Sequence, residues 1–439
     1  MCICAKVAFS TGMQMQKRRC INLRKSPVLL LLVLLATFGA VARAQERVGP
    51  QGGDRGFERE SLLDPVDEES SAEEENPTVE EIRSVLPIID LGHLYGPSFP
   101  YFYLQETIDE IGAACRDYGF FYITNIGGRS GEVHSLKGLY DEATWFFKQA
   151  PSFKRKIDMS LGGSAWRGYF AVGDELTSGI PDEKEGIYFS RDSNETGPLK
   201  GKNLYPVIDD DPDKHVLFKE TVPAYMDAMR QASSLLLQAI ALSLDLDARQ
   251  LNFTEPTELF RVFSYPPHSE SFGTGAQGVG EHTDYGYLTI LFQDEQGGLQ
   301  VRDVHTNEWL DVAPIPGTFV VNLGDALEHF TGGLYRATPH RVVQRSQATT
   351  ARLSFPYFFD PSMSYEMKSV FDQLSDDRKQ QVQRRREVES ADPSRRRWDN
   401  KDVTQFKGTY GEYLLGKVSK VFPSLFATTI SPKSPSDEL

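Results

Sequence analysis

Cysteine is scarce in this chain. Its 439 residues hold four, and Cys2, Cys4 and Cys20 all fall in the first twenty positions. If that leader is removed, Cys115 stands alone and no internal disulfide can form. Neither a CxxC pair nor a zinc-type spacing is present. Positive charge is also in short supply. Lysine and arginine number 47 against 62 acids, a formal net charge of -15. That excludes the phosphate-neutralising surface on which nucleic-acid binding depends. The apolar run Val28–Ala42, broken only by Thr37, is shorter than the roughly 17–25 residues of a membrane span. No internal repeat is visible. What remains is globular: with 40% hydrophobic and 11% aromatic residues, the chain can bury a sizeable core.

The two ends read as addresses. Lys17, Arg18, Arg19, Arg24 and Lys25 precede the apolar run, and Ala42-Arg43-Ala44 follows it. This is the order of a cleavable signal peptide over residues 1–44, with no stable membrane span left after cleavage. An uncleaved anchor and an organelle presequence are the other readings, the latter because the leader carries no acid. The chain ends Ser436-Asp437-Glu438-Leu439, which resembles the retrieval tag of the endoplasmic reticulum with Ser for Lys. Together these predict the endoplasmic reticulum lumen or the secretory pathway, with an organelle or the cytoplasm as alternative. Sequons at Asn194 and Asn252 suit a luminal protein. Residues 45–84 are acidic and rich in Gly and Pro, a composition that cannot offset its own ordering entropy. They are expected to be a solvated spacer, and residues 428–439 a tail.

Between them, residues 85–427 read as one domain. Leu86–Leu91 is a short strand. Leu104, Ile108, Ile111, Cys115 and Tyr118 recur at helical spacing, and Gly119 stops that helix. Phe120–Ile123 is a second strand and Leu217–Leu244 a long helix. From about 259 to 360 the character changes to short β-rich runs between Gly, Pro and Asn: 260–265, 287–293, 298–301, 319–323, 340–344 and 353–358. That pattern predicts a sandwich or barrel, a jelly roll among them. Residues 366–402, with Arg384-Arg385-Arg386 and Arg395-Arg396-Arg397, read as a helix and loop outside the β core with a solvated charged face. A closing helix runs from about Tyr410 to Val421.

The chemistry gathers in the β-rich part. His282 and Asp284 are two residues apart, which on a strand puts both side chains on one face. His340 lies fifty-six residues downstream at the start of another β-run. Two imidazoles and one carboxylate form the facial triad of non-haem Fe(II) oxygenases, which leaves positions open for cosubstrate and O2. Arg352 and Ser354 are again i and i+2. A guanidinium beside a hydroxyl receives a carboxylate, and Tyr265 can add a phenolic donor. A molecule that chelates iron at one end and carries a carboxylate at the other fits both features: 2-oxoglutarate.

From Leu86 to about Phe426 the chain resembles the 2-oxoglutarate/Fe(II)-dependent dioxygenases of the isopenicillin N synthase-like family. Gly280-Glu281-His282-Thr283-Asp284, Gly297-Gly298-Leu299-Gln300-Val301, Val321-Asn322-Leu323-Gly324-Asp325, Thr338-Pro339-His340-Arg341-Val342 and Arg352-Leu353-Ser354 fall in family order. Leu86–Leu91, Tyr118-Gly119-Phe120-Phe121 and Arg167-Gly168-Tyr169-Phe170 match as well. The resemblance implies a mainly β fold with α: a double-stranded β-helix (jelly roll) core with an N-terminal helical extension. It implies His282, Asp284 and His340 as iron ligands and Arg352, Ser354 and Tyr265 as the 2-oxoglutarate clamp. It also implies an oxidoreductase that turns 2-oxoglutarate into succinate and carbon dioxide while oxidising a C–H bond of a small organic substrate, with ascorbate as an aid to activity.

Two features depart from the family pattern. Phe263 stands where many plant members carry Asn, and the luminal addresses are unusual. Two rival readings follow: an Fe(II) oxidase of the same fold that needs no 2-oxoglutarate, and a non-catalytic ligand-binding jelly roll. By position relative to the family, Tyr169, Phe170, Leu176, Tyr188 and Phe189 are expected to line the substrate pocket, with Gly173–Gly179 as an entrance loop. The histidines at 93, 134, 215, 268 and 305 read as surface residues, and His329 as lying beside a turn. Cys115 reads as core.

Overall fold

The computed structural model describes residues 86–423, apart from 97–100, 129–132, 178, 209–215, 268–276, 305, 344–348, 393–396, 398 and 400. The leader, the acidic spacer and the C-terminal tail lie outside the described residues, as do His215, His268 and His305. The strands are β1 (Ile88–Asp90), β2 (Phe120–Thr124), β3 (Gly168–Phe170), β4 (Leu176–Thr177), β5 (Ile180–Pro181), β6 (Glu185–Phe189), β7 (Thr257–Tyr265), β8 (Gln277–His282), β9 (Leu288–Gln293), β10 (Leu299–Arg302), β11 (Trp309–Asp311), β12 (Phe319–Leu323), β13 (His340–Val343) and β14 (Arg352–Asp360). The helices that matter below are α1 (Tyr101–Asp117), α2 (Ser135–Phe147), α3 (Thr221–Ser243), α4 (Asp325–Phe330), α5 (Asp376–Ala391) and α6 (Tyr410–Val421).

Among the described residues, eight strands form one sheet in the order β1-β2-β12-β9-β14-β7-β6-β3. A second sheet runs β11-β10-β13-β8, and β4 and β5 make a separate hairpin. The two larger sheets enclose a cavity of about 370 Å3, the hollow of a double-stranded β-helix. Strand periodicity decides what lines it. Leu259, Arg261, Phe263 and Tyr265 of β7 all reach the cavity, and so do Arg352, Ser354, Pro356, Phe358 and Asp360 of β14. Alternate residues share one face of a strand, so one face of this adjacent pair is the cavity floor. The opposite face packs against the helices. α3 buries Leu235, Leu236, Leu237, Ala239, Ile240 and Ala241 in near-continuous sequence. A helix apolar all round is a buried one, and α1 and α2 pack against it.

Each element boundary has a local cause. Gly119 follows α1 with φ +66, and a Cβ there would sit 2.6 Å from the Arg336 carbonyl. Glycine takes this left-handed stop without the penalty other residues incur. α6 begins with a capping box: Thr409 accepts from the Glu412 amide, and Glu412 accepts from the Thr409 amide.

The β-runs expected from the sequence appear within a few residues of their expected limits, as do α1, α3 and α6. Unforeseen are α2, β3, β6, β8 and β11. Cys115 is buried core, 1% exposed. The arginine-rich segment meets the expectation of a solvated helix but departs from it in the loop. Arg385 and Arg386 donate to the carbonyls of Leu334 and Gly332. Arg397 is buried and donates to Asp325 at 2.7 Å. Arg384 and Arg386 stay exposed, as a row of like charges suggested, whereas Arg397 is drawn inward by the buried Asp325.

Candidate active site

His282 closes β8, while Asp284 lies beyond it in the loop that leads to β9. The two therefore do not share a strand face, as their spacing had suggested. Pairing across the small sheet brings the imidazoles together: His340 opens β13 directly opposite His282. Their ring centroids are 4.3 Å apart. The loop then folds the carboxylate back, so that Asp284 Oδ1 is 3.8 Å from Nε2 of each histidine.

Hydrogen bonds orient all three side chains. His282 Nδ1 lies 2.8 Å from the Gly280 carbonyl and His340 Nδ1 3.1 Å from the Thr338 carbonyl. A carbonyl only accepts, so each Nδ1 carries the proton and each Nε2 keeps a free lone pair toward the centre. The outer oxygen of Asp284, Oδ2, accepts from Thr289 Oγ1 and from Asn322 Nδ2, the latter at 2.7 Å. That leaves Oδ1 to point inward. Burial and the neighbouring His340 push the His282 pKa down to about 4, against the pull of Asp284. Burial alone would raise the Asp284 carboxyl, but the two imidazoles and its two donors hold it below its ordinary value. The trio thus offers two imidazole nitrogens and one carboxylate oxygen, a donor set that suits Fe(II). The three ligand atoms lie within 4.8 Å of one another.

The loop itself is tied from behind. The first amides of α4 donate to it: Asp325 N to the Asp284 carbonyl at 2.8 Å and Ala326 N to the Gly286 carbonyl at 3.0 Å. Helix N-termini leave such amides unpaired, and here the loop that carries Asp284 satisfies them. Gly324, just before α4, permits the approach, since a Cβ there would fall 2.3 Å from the Gly286 carbonyl oxygen. The Asp325 side chain reaches the C-terminal segment. Its carboxylate takes Arg397, Tyr413 and Lys417, and Arg397 also donates to Thr283 Oγ1 at 2.8 Å.

The clamp residues sit at one end of the cavity floor. Arg352 and Tyr265 are opposite one another across β14 and β7, with the guanidinium 4.8 Å from the tyrosine ring centroid. Arg352 spends one donor on Gln293 at 3.3 Å. Its Nε and Nη1 are buried with no partner. Orphaned buried donors are rare in native proteins, and two on one guanidinium fit a planar anion such as a carboxylate. Ser354 is buried on the same face.

The other end of the cavity was largely missed. Of the five residues expected to line it, Leu176 does. Tyr169, Phe170, Tyr188 and Phe189 are instead buried in the core, because β3 and β6 extend the large sheet beyond the hollow. The wall there comprises Trp166, Glu175, Lys184, Arg261, Tyr285 and Phe358, with Leu414, Lys417 and Lys420 from α6. Alternation along β7 could have found Arg261, which shares a face with the clamp Tyr265. Phe263, the residue that departs from the family pattern, also lines the cavity. His329 is buried in α4 and bonds the Phe406 carbonyl at 3.0 Å, away from the trio. His93 is half-buried, 3.0 Å from Thr107 Oγ1, and His134 is exposed.

Comparison with known proteins gives a consistent family. The model of the 2OG-Fe(II) oxygenase superfamily matches residues 256–361. That of the non-haem dioxygenase in morphine synthesis N-terminal region matches residues 86–207. A probable iron/ascorbate oxidoreductase of Dictyostelium discoideum is 40% identical over 377 residues, covering 80% of this chain and 97% of the relative. A 1-aminocyclopropane-1-carboxylate oxidase of Dictyostelium mucoroides is 33% identical, covering 77% and 95%. Among solved structures, a full-length Neurospora crassa protein in complex with alpha-KG and thymine is 26% identical, with a TM-score of 0.59 over 76% of this chain and 96% of that one.

Proposed function

This chain belongs to the 2OG-Fe(II) oxygenase superfamily, and on that premise we propose that His282, Asp284 and His340 hold its iron and that Arg352, Ser354 and Tyr265 hold the far carboxylate of 2-oxoglutarate. The enzyme is a 2-oxoglutarate/Fe(II)-dependent dioxygenase that acts on a small organic substrate. The observation that carries the assignment of residues is a single cavity whose wall contains both the inward-facing trio and an Arg352 with two orphaned donors.

Iron held by His282, Asp284 and His340 would supply the redox chemistry, in which O2 gives one oxygen atom to the succinate formed with carbon dioxide from 2-oxoglutarate and the other to a substrate C–H bond. The chain supplies position. Asn322 and Thr289 keep Asp284 Oδ1 aimed at the centre. The Gly280 and Thr338 carbonyls keep each Nε2 free. Arg352 fixes the distance between the clamp and the metal. Phe120, Leu291, Leu299 and Val342 line the same hollow, which excludes water from the reacting atoms.

The test is release of succinate from 2-oxoglutarate by purified protein with Fe(II) and ascorbate. Loss of turnover in Asp284→Ala together with a raised apparent KM for 2-oxoglutarate in Arg352→Gln supports the assignment. Metal-dependent turnover that survives in Asp284→Ala would reject it.

The similarity to a 1-aminocyclopropane-1-carboxylate oxidase favours one second reading, an oxidase in which Arg352 receives another carboxylate. Substrate oxidation with ascorbate alone, unaffected by removing 2-oxoglutarate, is its signature.

The address signals support residence in the secretory pathway. Asn194 and Asn252 are both exposed, so a luminal protein would carry glycans there. A glycosidase-sensitive mobility shift that disappears in Asn194→Gln/Asn252→Gln is the expected result. Non-glycosylated full-length protein in the cytosol would reject the location.

A further inference from the structure

Arg261 is the one cavity-lining guanidinium besides Arg352 among the described residues. It stands four residues before the clamp Tyr265 on the same face of β7, about 13 Å away along the strand. The register of the sheet shows what it stands beside. Asp284 is anchored by Thr289, and Thr289 pairs with Phe358 of β14. The Arg261 guanidinium lies 4.7 Å from the Phe358 ring centroid and 4.4 Å from that of Tyr188. Arg261 is therefore level with the metal ligands, whereas Arg352 is six residues away along β14.

Its bonding is incomplete. The side chain is 15% exposed, and none of its five N–H groups makes a hydrogen bond among the described residues. Its Nε is buried without a partner. Its nearest acid, Glu175, is 3.7 Å away. Glu175 is already engaged, receiving Tyr188 Oη at 2.8 Å and Lys184 Nζ at 2.9 Å. Lys184 in turn spans Glu175 and Asp182. Two acids, Glu175 and Asp182, thus face two cations, Lys184 and Arg261, and the charges balance; what the guanidinium lacks is a hydrogen-bonded partner. Aromatic faces hold it flat, which preserves its planar fork. Three lysines, Lys401, Lys417 and Lys420, add positive charge to the same wall.

We infer that Arg261 is the substrate-anchoring residue and that the substrate of this enzyme is a small molecule bearing a carboxylate, held by Arg261 at the end of the cavity away from Arg352. This rests on the 2-oxoglutarate reading of the site and specifies its substrate class. Two guanidiniums in one cavity place two anions: the cosubstrate at Arg352 and the substrate at Arg261. The carboxylate completes the fork that Glu175 cannot reach, and the carbon to be oxidised is held between Arg261 and the His282–Asp284–His340 centre.

The test uses the full-length protein with Fe(II), 2-oxoglutarate and ascorbate. The probes are 1-aminocyclopropane-1-carboxylate, the standard amino acids and short aliphatic and aromatic monocarboxylates, each beside its primary amide. Stimulated succinate release is measured for each. Anaerobic calorimetry with Mn(II) and 2-oxoglutarate bound reads binding without turnover. The expected result is that one or more acids bind and stimulate while the matching amides do not. In Arg261→Gln the KM and Kd for that acid rise about 10- to 100-fold, the loss of a charged hydrogen-bonded partner. Arg261→Lys restores part of the loss, which a purely structural role would not produce. Amides equal to acids, no acid of the panel bound, or Arg261→Gln acting on the KM for 2-oxoglutarate alone would each overturn the inference. Absence of iron binding and of all 2-oxoglutarate turnover would instead sink the reading beneath it.

Discussion

The two ends of the cavity floor are built from the same two strands and the same residue type, yet they differ in completeness. At the Arg352 end, the guanidinium, a tyrosine ring and a serine form a compact receptor, with one donor already placed on Gln293. At the Arg261 end, the guanidinium is sandwiched between rings and lies beside a buried Glu175–Lys184–Asp182 group. Burial opposes the Lys184 charge, but the two acids raise its pKa to about 12. The first end is made for one constant ligand. The second combines charge, aromatic faces and a wall contributed by the separate helix α6, so more of its surface comes from outside the two strands.

The largest effect should come from removing what both ends share. His282→Ala is expected to abolish succinate release and metal-dependent binding of 2-oxoglutarate, read by product analysis and calorimetry. Next is the latch that ties the far wall to the metal loop. Arg397→Met takes the guanidinium from the buried Asp325 and from Thr283, and breaking a buried pair in this way costs about 3–5 kcal/mol. Denaturant titration should show it, and an unchanged midpoint would mean that Lys417 and Tyr413 suffice. Arg352→Gln should raise the apparent KM for 2-oxoglutarate by about 10- to 100-fold. If it acts on the substrate instead, the two ends have been assigned the wrong way round. The smallest effect is Thr409→Ala, which removes half of the capping box of α6 and should cost about 1 kcal/mol of stability, measured by thermal melting.

How much was legible follows from the range of each signal. That His282, Asp284, His340, Arg352 and Tyr265 belong together was readable, because ligand chemistry demands particular residue types in a particular order, and all five line one cavity. Their exact placement was not, because Asp284 reaches the centre through a loop held by α4, and that hold is made by backbone amides that any sequence possesses. The β-runs of the core could be seen from β-branched and aromatic residues. β8 could not, since Gln277-Gly278-Val279-Gly280 has the composition of a turn and becomes a strand by pairing with β13. Aromatics at 169, 170, 188 and 189 suggested a pocket but are core, because periodicity along a strand cannot show which face of the sheet meets the hollow. Arg397 was misjudged for a similar reason: its partners Asp325 and Thr283 lie seventy or more positions earlier.

The amides of α4 that bind the metal-loop carbonyls have a thermodynamic consequence. They set the spacing of the ligand atoms during folding, so that little of the loop is left to be ordered when the ion arrives. Metal uptake should therefore show a small heat-capacity change, since almost no apolar surface is newly buried. The ion should raise the melting temperature by simple mass action, in step with its concentration over its dissociation constant, while the denaturant m-value stays that of the metal-free protein.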